Sequence, residues 1–209
     1  MELPETLAGK LYLLAYDPER ERLTCRRNLD FLMRAAMLTD LLRRGLLRED
    51  GRTAAAVGIV PAGLDPLLAD LWRQIHDGRT RSWQLWIGWR RHRTARTVRD
   101  GLAAAGWITV EEHRVLGLFP AARITLREPR VRKALEAAVS SALRGPLSRV
   151  DPDDAALVAL ADAAQLRTVL TWRQRREFRS RIEKLAPAAG PVPRALRRAI
   201  QSRDAMTAS

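Results

Sequence analysis

The stretch Phe31-Leu-Met-Arg-Ala-Ala-Met-Leu-Thr-Asp-Leu-Leu-Arg-Arg-Gly45 decides the fold, because it is a largely apolar segment with a single arginine, Arg34, in its first half. On a helical wheel of about 100° per residue, apolar side chains fill two sides of this segment. A helix that is apolar on both sides is buried among other elements. The sequence therefore predicts a central buried helix over residues 28–44, ended by Gly45.

Arg34 falls outside both apolar sides of this helix. An unpaired charge removed from water costs several kcal/mol, so the guanidinium needs a partner. Asp30 lies one turn earlier, in the acid-before-base order that favours an ion pair within a helix. A bound anion is the alternative partner, and the residues alone leave both open.

The net charge of +13 is concentrated in two segments. Residues 71–100 hold eight arginines against two aspartates, and residues 171–203 hold ten lysines and arginines against two glutamates. The rest of the chain is close to neutral. Two localised basic surfaces indicate a polyanionic partner, either nucleic acid or an anionic membrane.

The 209 residues, of which 46% are hydrophobic, can bury one substantial core. We expect one domain over residues 1–204 and a flexible tail over 205–209. Cys25 is the only cysteine, which excludes an internal disulfide and a thiolate zinc cluster. No segment approaches about 18 consecutive apolar residues. These features predict a cytoplasmic protein whose membrane contact is peripheral.

Turn and capping residues divide most of the chain into helical segments. We predict a mainly α fold, a single globular helical domain with one or two small β-hairpins. The hairpins are expected at residues 46–57 and 107–119, the second with its turn at Glu111-Glu-His-Arg114. Helices are expected at residues 4–16, 28–44, 66–75, 82–105 (a short helix and then a longer one), 129–143, 152–163, 172–185 and after 193.

Catalytic motifs are absent from the sequence. The histidines His76, His92 and His113 are scattered, and no metalloprotease, nucleophile-elbow or phosphate-loop pattern occurs. We therefore predict no enzyme activity, no cofactor and no metal site. Two arginines follow Cys25 directly and would lower the pKa of its thiol, which is the one reactive-residue hypothesis that the sequence offers.

An arginine ladder at Arg90, Arg93, Arg96 and Arg99 repeats every three residues along the helix expected before Gly106. Like charges this close destabilise a helix unless acids or a bound anion relieve them. The ladder is either a solvated face or an anion contact.

Three tryptophans, Trp83, Trp86 and Trp89, precede the ladder at the same spacing. This spacing is typical of a helix that packs in a core. Tryptophan next to arginine also suits base stacking, cation–π contact or anchoring at a membrane interface.

Several motifs follow one another in an order that resembles the Golgi phosphoprotein 3 family. They extend from the Leu-rich first helix almost to the end of the chain. The quoted motifs are Phe31–Gly45, Trp83, Arg96-Thr-Val-Arg-Asp-Gly-Leu-Ala-Ala-Ala-Gly-Trp-Ile108 and Val115-Leu-Gly-Leu-Phe119, followed by Arg132–Leu143 and Asp153–Leu160.

The resemblance implies a mainly helical domain that docks on membranes by binding phosphatidylinositol 4-phosphate. The family's headgroup pocket uses a tryptophan, an arginine in the following helix and an arginine pair three residues apart. Arg34 matches the helix arginine, and Cys25 takes the position of the tryptophan. Arg93 and Arg96 match the pair after a shift of one residue, and we add Arg90 to this site.

Without that shift, the positions of the pair fall on His92 and Ala95. The resemblance also implies that the apolar hairpin 107–119 inserts into the membrane, through Leu116, Leu118 and Phe119, or makes self-contacts in an oligomer. Eukaryotic members hold cytoplasmic tails of Golgi glycosyltransferases, so such tails are further candidate partners. The Ala- and Arg-rich composition suits a GC-rich bacterial genome, in which case the lipid is another anionic phospholipid.

We therefore expect a non-enzymatic peripheral protein on the cytoplasmic face of a membrane, where it binds an anionic phospholipid headgroup. The alternative is a winged-helix-like nucleic-acid-binding protein, since a helix leads into a hairpin at both 28–57 and 90–119. A DNA-contacting wing carries basic residues at its tip. The apolar residues of the second hairpin, and its two glutamates Glu111 and Glu112, favour the bilayer.

Overall fold

The computed structural model describes residues 2–115 and 119–207, with side chains described outside 112–121. The chain is 61% helical, which confirms the mainly α prediction. The described helices are α1 (Leu7–Ala15), α2 (Arg26–Arg43), α3 (Pro66–His76), α4 (Trp83–Gly88), α5 (Thr94–Ala104), α6 (Pro129–Arg144), α7 (Pro152–Ala163), α8 (Trp172–Glu177), α9 (Arg179–Leu185) and α10 (Val192–Thr207), with 3₁₀ turns at Leu147–Arg149 and Ala186–Ala189.

Three small antiparallel sheets accompany the helices in the described part of the chain. β1 pairs with β2, β4 lies between β3 and β5, and β6 pairs with β7. The predicted first hairpin is confirmed, but the short third strand of its sheet was not predicted. The strands are β1 (Tyr16–Asp17), β2 (Arg22–Leu23), β3 (Leu47–Asp50), β4 (Thr53–Ala56), β5 (Arg81–Ser82), β6 (Ile108–Val115) and β7 (Phe119–Leu126).

Helix α2 lies at the centre of the core, as predicted. Leu32, Ala35 and Leu38 on its different sides are completely buried. It packs against α1, α3, α4, α5, α7 and α10. Gly45 follows the helix with a φ of +71°, the left-handed conformation that glycine adopts without a Cβ clash.

A buried carboxylate joins α2 to the first turn of α1. Asp40 is 5% exposed, and its Oδ2 accepts a hydrogen bond of 2.9 Å from the backbone N–H of Leu7. The first N–H groups of a helix have no partner inside the helix, so Asp40 satisfies one of them. Burial raises the pKa of Asp40 to about 7, against the lowering effect of this hydrogen bond.

The predicted turn of the second hairpin is wrong. Residues 111–114 belong to β6, and the strands pair from Ile108 with Leu126 to Val115 with Phe119. This register sets Val110 opposite Ile124 and Glu111 opposite Arg123. Apolar and opposite-charge cross-strand pairs stabilise a ladder, and the sequence reasoning had overlooked the partners after residue 119.

Helix α10 continues to Thr207, so it includes three residues of the segment that was predicted as a tail. Residues 208 and 209 lie outside the described residues. The predicted helix over residues 172–185 is divided at Phe178 into α8 and α9.

Candidate anion-binding site

Arg34 is a buried cation with two hydrogen-bonding partners. Only 4% of the residue is exposed. Its Nε donates to the carbonyl of Trp86 at 3.2 Å, and its Nη2 donates to Oε1 of Gln74 at 2.8 Å. Burial lowers the pKa of Arg34 to about 10, which leaves the side chain charged at neutral pH.

Asp30 has a different role from the one predicted. Its Oδ1 accepts a hydrogen bond of 2.8 Å from the backbone N–H of Ala95, in the first turn of α5. Arg93, the N-cap residue directly before α5, has a φ of 75° and makes no capping hydrogen bond with its side chain. Asp30 therefore caps α5 from the neighbouring helix. Of the two partners that the sequence left open for Arg34, the ion pair with Asp30 is therefore wrong.

The loop between α4 and α5 has unusual backbone geometry. Arg90 and Arg93 adopt φ angles of 48° and 75°, which are rare for residues other than glycine. The side chain of Arg91 donates to the carbonyl of Gly88 at 3.0 Å, and Thr94 donates to the carbonyl of Arg91 at 2.6 Å. Such conformations persist where the surroundings fix them, and they concentrate at functional sites.

Arginines stack on the tryptophans at the end of α4. The guanidinium of Arg81 lies 4.8 Å from the ring centre of Trp86 and 4.0 Å from that of Trp89. Arg90 lies 4.7 Å from Trp89, whose ring meets Trp86 edge-on at 5.3 Å. The tryptophan run therefore serves the core through Trp83 and Trp86 and also forms cation–π contacts through Trp89.

Two further arginines flank Phe31 on α2. Arg91 and Arg203 lie 4.4 Å and 5.3 Å from its ring centre. Arg203 also donates to Oδ1 of Asn28 at 2.8 Å, which ties α10 to the start of α2. We call this set the arginine–aromatic surface: Arg81, Trp89, Arg90, Arg91 and Arg203, with the buried rings of Phe31 and Trp86 beneath them.

Sequence reasoning missed Arg81, Arg91 and Arg203 as members of this surface. Arg81 lies on the unpredicted strand β5, and Arg203 comes from the far end of the chain. The only sequence signal was the close succession of tryptophans and arginines over residues 83–91.

The ladder residues Arg93 and Arg96 lie on the outside of the protein. Arg96 is 3.9 Å from Asp100, and Arg99 bonds the same carboxylate at 2.7 Å. Arg34 is buried, whereas Arg93 and Arg96 are exposed. Their convergence on one phosphate stays a prediction.

A family model described as Golgi phosphoprotein 3 (GPP34) matches residues 7–203. The chain belongs to the Golgi phosphoprotein 3 family. This is a family of membrane-associated proteins and not one of enzymes. No curated protein matches the chain. None of the described helices is both long enough and apolar enough to cross a membrane.

In this Golgi phosphoprotein 3 family member, Cys25 and Arg34 have different hydrogen-bonding partners, and the place of Cys25 in a headgroup site stays a prediction. Its Sγ donates to the carbonyl of Ala164 at 3.4 Å, and it lines a cleft of about 660 Å³ together with Asn28, Arg132 and Thr168. Burial raises the pKa of the Cys25 thiol, although Arg175 and Arg203 act in the opposite direction. The pKa of the thiol therefore shifts in the direction opposite to the one that the reactive-thiol hypothesis expects.

The apolar hairpin of the family is only partly described. Its strands β6 and β7 pair over eight residues each. Leu116 and Leu118 lie outside the described residues, as does the side chain of Phe119. Membrane insertion and self-association through this hairpin stay predictions.

A second concave feature of this family member is an apolar groove of about 1020 Å³ between the N-terminal segment, α3 and α5. Leu3, Met37 and Trp107 contribute to its apolar lining. Among the described residues that line it there is no lysine or arginine, although the chain has 37 of them. Its acidic lining residues are Glu2, Glu5, Asp65 and Asp100. Sequence reasoning missed the groove because its walls come from distant segments.

Proposed function

We propose that the protein is a peripheral membrane protein whose arginine–aromatic surface binds an anionic phospholipid headgroup from the cytoplasmic side. The observation that carries this proposal is the position of Arg81 and Arg90 against Trp89. A guanidinium held over a ring keeps its N–H donors at the edge, where phosphate oxygens can accept them. Tryptophan and arginine together suit the headgroup layer of a membrane.

The arginines and the hairpin have three different roles in this proposal. Arg90 of this surface forms the outer clamp on the phosphate together with Arg93 and Arg96, which follow it along the chain. Arg34 is the inner phosphate contact, and it exchanges the oxygen of Gln74 for a phosphate oxygen when the lipid binds. The hairpin 107–119 inserts Leu116, Leu118 and Phe119 beside the bound headgroup.

Vesicle flotation tests the headgroup site. The protein is expected to float with phosphatidylcholine vesicles that contain phosphatidylinositol 4-phosphate, and to bind them at least about tenfold less tightly after Arg34→Ala. His76→Ala is the control, because His76 is half exposed and contacts Trp72 and Asp77. Thermal stability is measured on the same samples. A loss of stability with unchanged affinity per folded molecule would make Arg34 a purely structural residue.

The hairpin is tested separately with Leu118→Ser and Phe119→Ser combined. Each apolar side chain that enters the bilayer contributes about 1.5–3 kcal/mol, so vesicle binding should fall steeply. A folded double variant that floats like the parent protein would remove the hairpin from the proposal. Duplex DNA is titrated in parallel, and binding to DNA in preference to vesicles would favour the nucleic-acid alternative.

The acidic apolar groove supports a second candidate function, that of an adaptor for membrane proteins. A groove with exposed Glu2 and Glu5 at its edge complements a segment that is both basic and apolar, such as the cytoplasmic tail of a membrane enzyme. Fluorescence anisotropy with a basic amphipathic peptide tests this role. Combined Glu2→Lys and Glu5→Lys should abolish the binding, while Glu49→Lys, on the exposed strand β3, should leave it unchanged.

A further inference from the structure

Helix α4 carries an exposed leucine next to the arginine–aromatic surface. Leu85 is 59% exposed, whereas its neighbours Trp86 and Ile87 are completely buried. The carbonyl of Leu85 accepts the backbone N–H of Trp89 at 2.8 Å, so the two residues are separated by one helical turn and share a side of α4. Leu85 therefore points out of the protein beside the ring on which Arg81 and Arg90 stack.

A second exposed apolar side chain comes from α10. Met206 is 80% exposed. The side chains of Gln84 and Ser202 form a hydrogen bond of 3.0 Å, which brings α4 and α10 together at this point. Leu85 directly follows Gln84, and Met206 lies one turn after Ser202 on the same face of α10. Leu85 and Met206 thus each lie within about one helical turn of this contact between α4 and α10.

The charged residues near Leu85 in the sequence are all basic. Residues 79–99 contain seven arginines and no acidic residue. A single exposed leucine is ordinary on a protein surface, so exposure alone indicates nothing. Ile59, which is 83% exposed, illustrates that ordinary case, since residues 57–61 around it carry no charge. Leu85 differs because it projects from a surface that attracts anions.

We propose that Leu85 and Met206 enter the apolar layer of the membrane next to the headgroups that the arginine–aromatic surface binds. This inference rests on the proposed function and adds a second insertion point to it, on α4 and α10 instead of the hairpin. An anionic bilayer can contact both the arginines and the two apolar side chains, because its phosphates face the arginines while its acyl chains surround Leu85 and Met206. A soluble anion can contact only the arginines.

The single cysteine permits a direct test of depth in the membrane. Cys25→Ser keeps a donor for the carbonyl of Ala164, and the full-length variant then receives one new cysteine at Leu85, at Met206 or, as a control, at Ile59. Each is labelled with a polarity-sensitive fluorophore and mixed with phosphatidylcholine vesicles that contain phosphatidylinositol 4-phosphate or phosphatidylglycerol.

The fluorophores at residues 85 and 206 are expected to shift to the blue when the protein binds, and lipids brominated in their acyl chains should quench them. The fluorophore at residue 59 should change little. A labelled protein that floats while its probes at residues 85 and 206 stay in water would overturn the inference and leave headgroup binding intact. Failure of the unlabelled protein to float would overturn both proposals.

Affinity gives an independent measure. Combined Leu85→Ser and Met206→Ser should weaken vesicle binding by about tenfold or more, because two apolar side chains no longer enter the bilayer. Ile59→Ser should have no effect. Binding of soluble inositol 1,4-bisphosphate, which has a headgroup but no acyl chains, should be the same in all three proteins. Equal vesicle affinity, or a parallel loss of inositol bisphosphate binding, would contradict insertion through this pair.

Discussion

The two basic segments of the chain carry similar charge and use it differently. In residues 71–100, Arg81, Arg90 and Arg91 lie against aromatic rings. In residues 171–203, Arg197 pairs with Asp162 and Arg179 pairs with Glu183. Two arginines of the second segment are exceptions, since Arg176 lies 4.8 Å from the ring centre of the exposed Trp172 and Arg203 lies against Phe31.

Arg181 shows how the second segment uses its arginines. Its Nε and Nη2 donate to the carbonyl of Ala142 at 2.8 and 2.7 Å, and Nη2 also donates to the carbonyl of Gly145 at 2.6 Å. These carbonyls belong to the end of α6, where no backbone donor is available within the helix. This difference shows that the net charge of a segment overestimates how many of its arginines can contact a ligand. Arginines that already bond acids or carbonyls of the protein do not contribute.

The largest expected effect concerns stability in the second segment. Arg181→Ala removes a charged donor from partly buried carbonyls, so we expect it to lower the free energy of unfolding by about 3 kcal/mol. Denaturant titration measures this change, and vesicle binding by the folded variant should be unchanged. A stable variant with weaker vesicle binding would reverse the roles of the two segments.

The second effect compares charge removal on the two segments. Arg90→Gln with Arg93→Gln should weaken binding to anionic vesicles by about thirtyfold, since each arginine near the surface contributes about 1 kcal/mol. The matched pair, Arg179→Gln with Arg197→Gln, removes the same formal charge and should change binding by about threefold or less. Equal losses in flotation would show that net charge alone governs binding.

The smallest expected effect concerns Asp30, which caps helix α5 of the first segment. Asp30→Ala removes the side-chain cap of α5 and should lower stability by about 1 kcal/mol, the usual cost of losing such a cap. Asp30→Asn, which keeps an acceptor oxygen, should recover most of this loss in thermal unfolding. If the asparagine variant is as unstable as the alanine variant, the negative charge of Asp30 matters more than the hydrogen bond to Ala95.

The sequence predicted α2 correctly because a helix that is apolar on both sides can only be buried. It misplaced the turn of the second hairpin because residues 111–114 are a polar run between two apolar segments, while the partners that keep them in a strand lie after residue 119. The resemblance to the Golgi phosphoprotein 3 family depended on the order of motifs, and the family model over residues 7–203 confirms it.

The partners of charged side chains are where the sequence alone fell short. It offered Asp30, one turn away, and a bound anion as the two possible partners of Arg34. The structure instead gives Arg34 the oxygens of Gln74 and Trp86, from elements 40 and 52 residues away.

The sequence by itself determined the helical class, the central helix and the location of the two basic segments, because these follow from local periodicity and composition. Only the tertiary structure decided which arginines are held by acids and carbonyls and which lie against aromatic rings. The same applies to the groove and to the pair Leu85 and Met206. These features are juxtapositions of segments distant along the chain, which no local pattern of residues specifies.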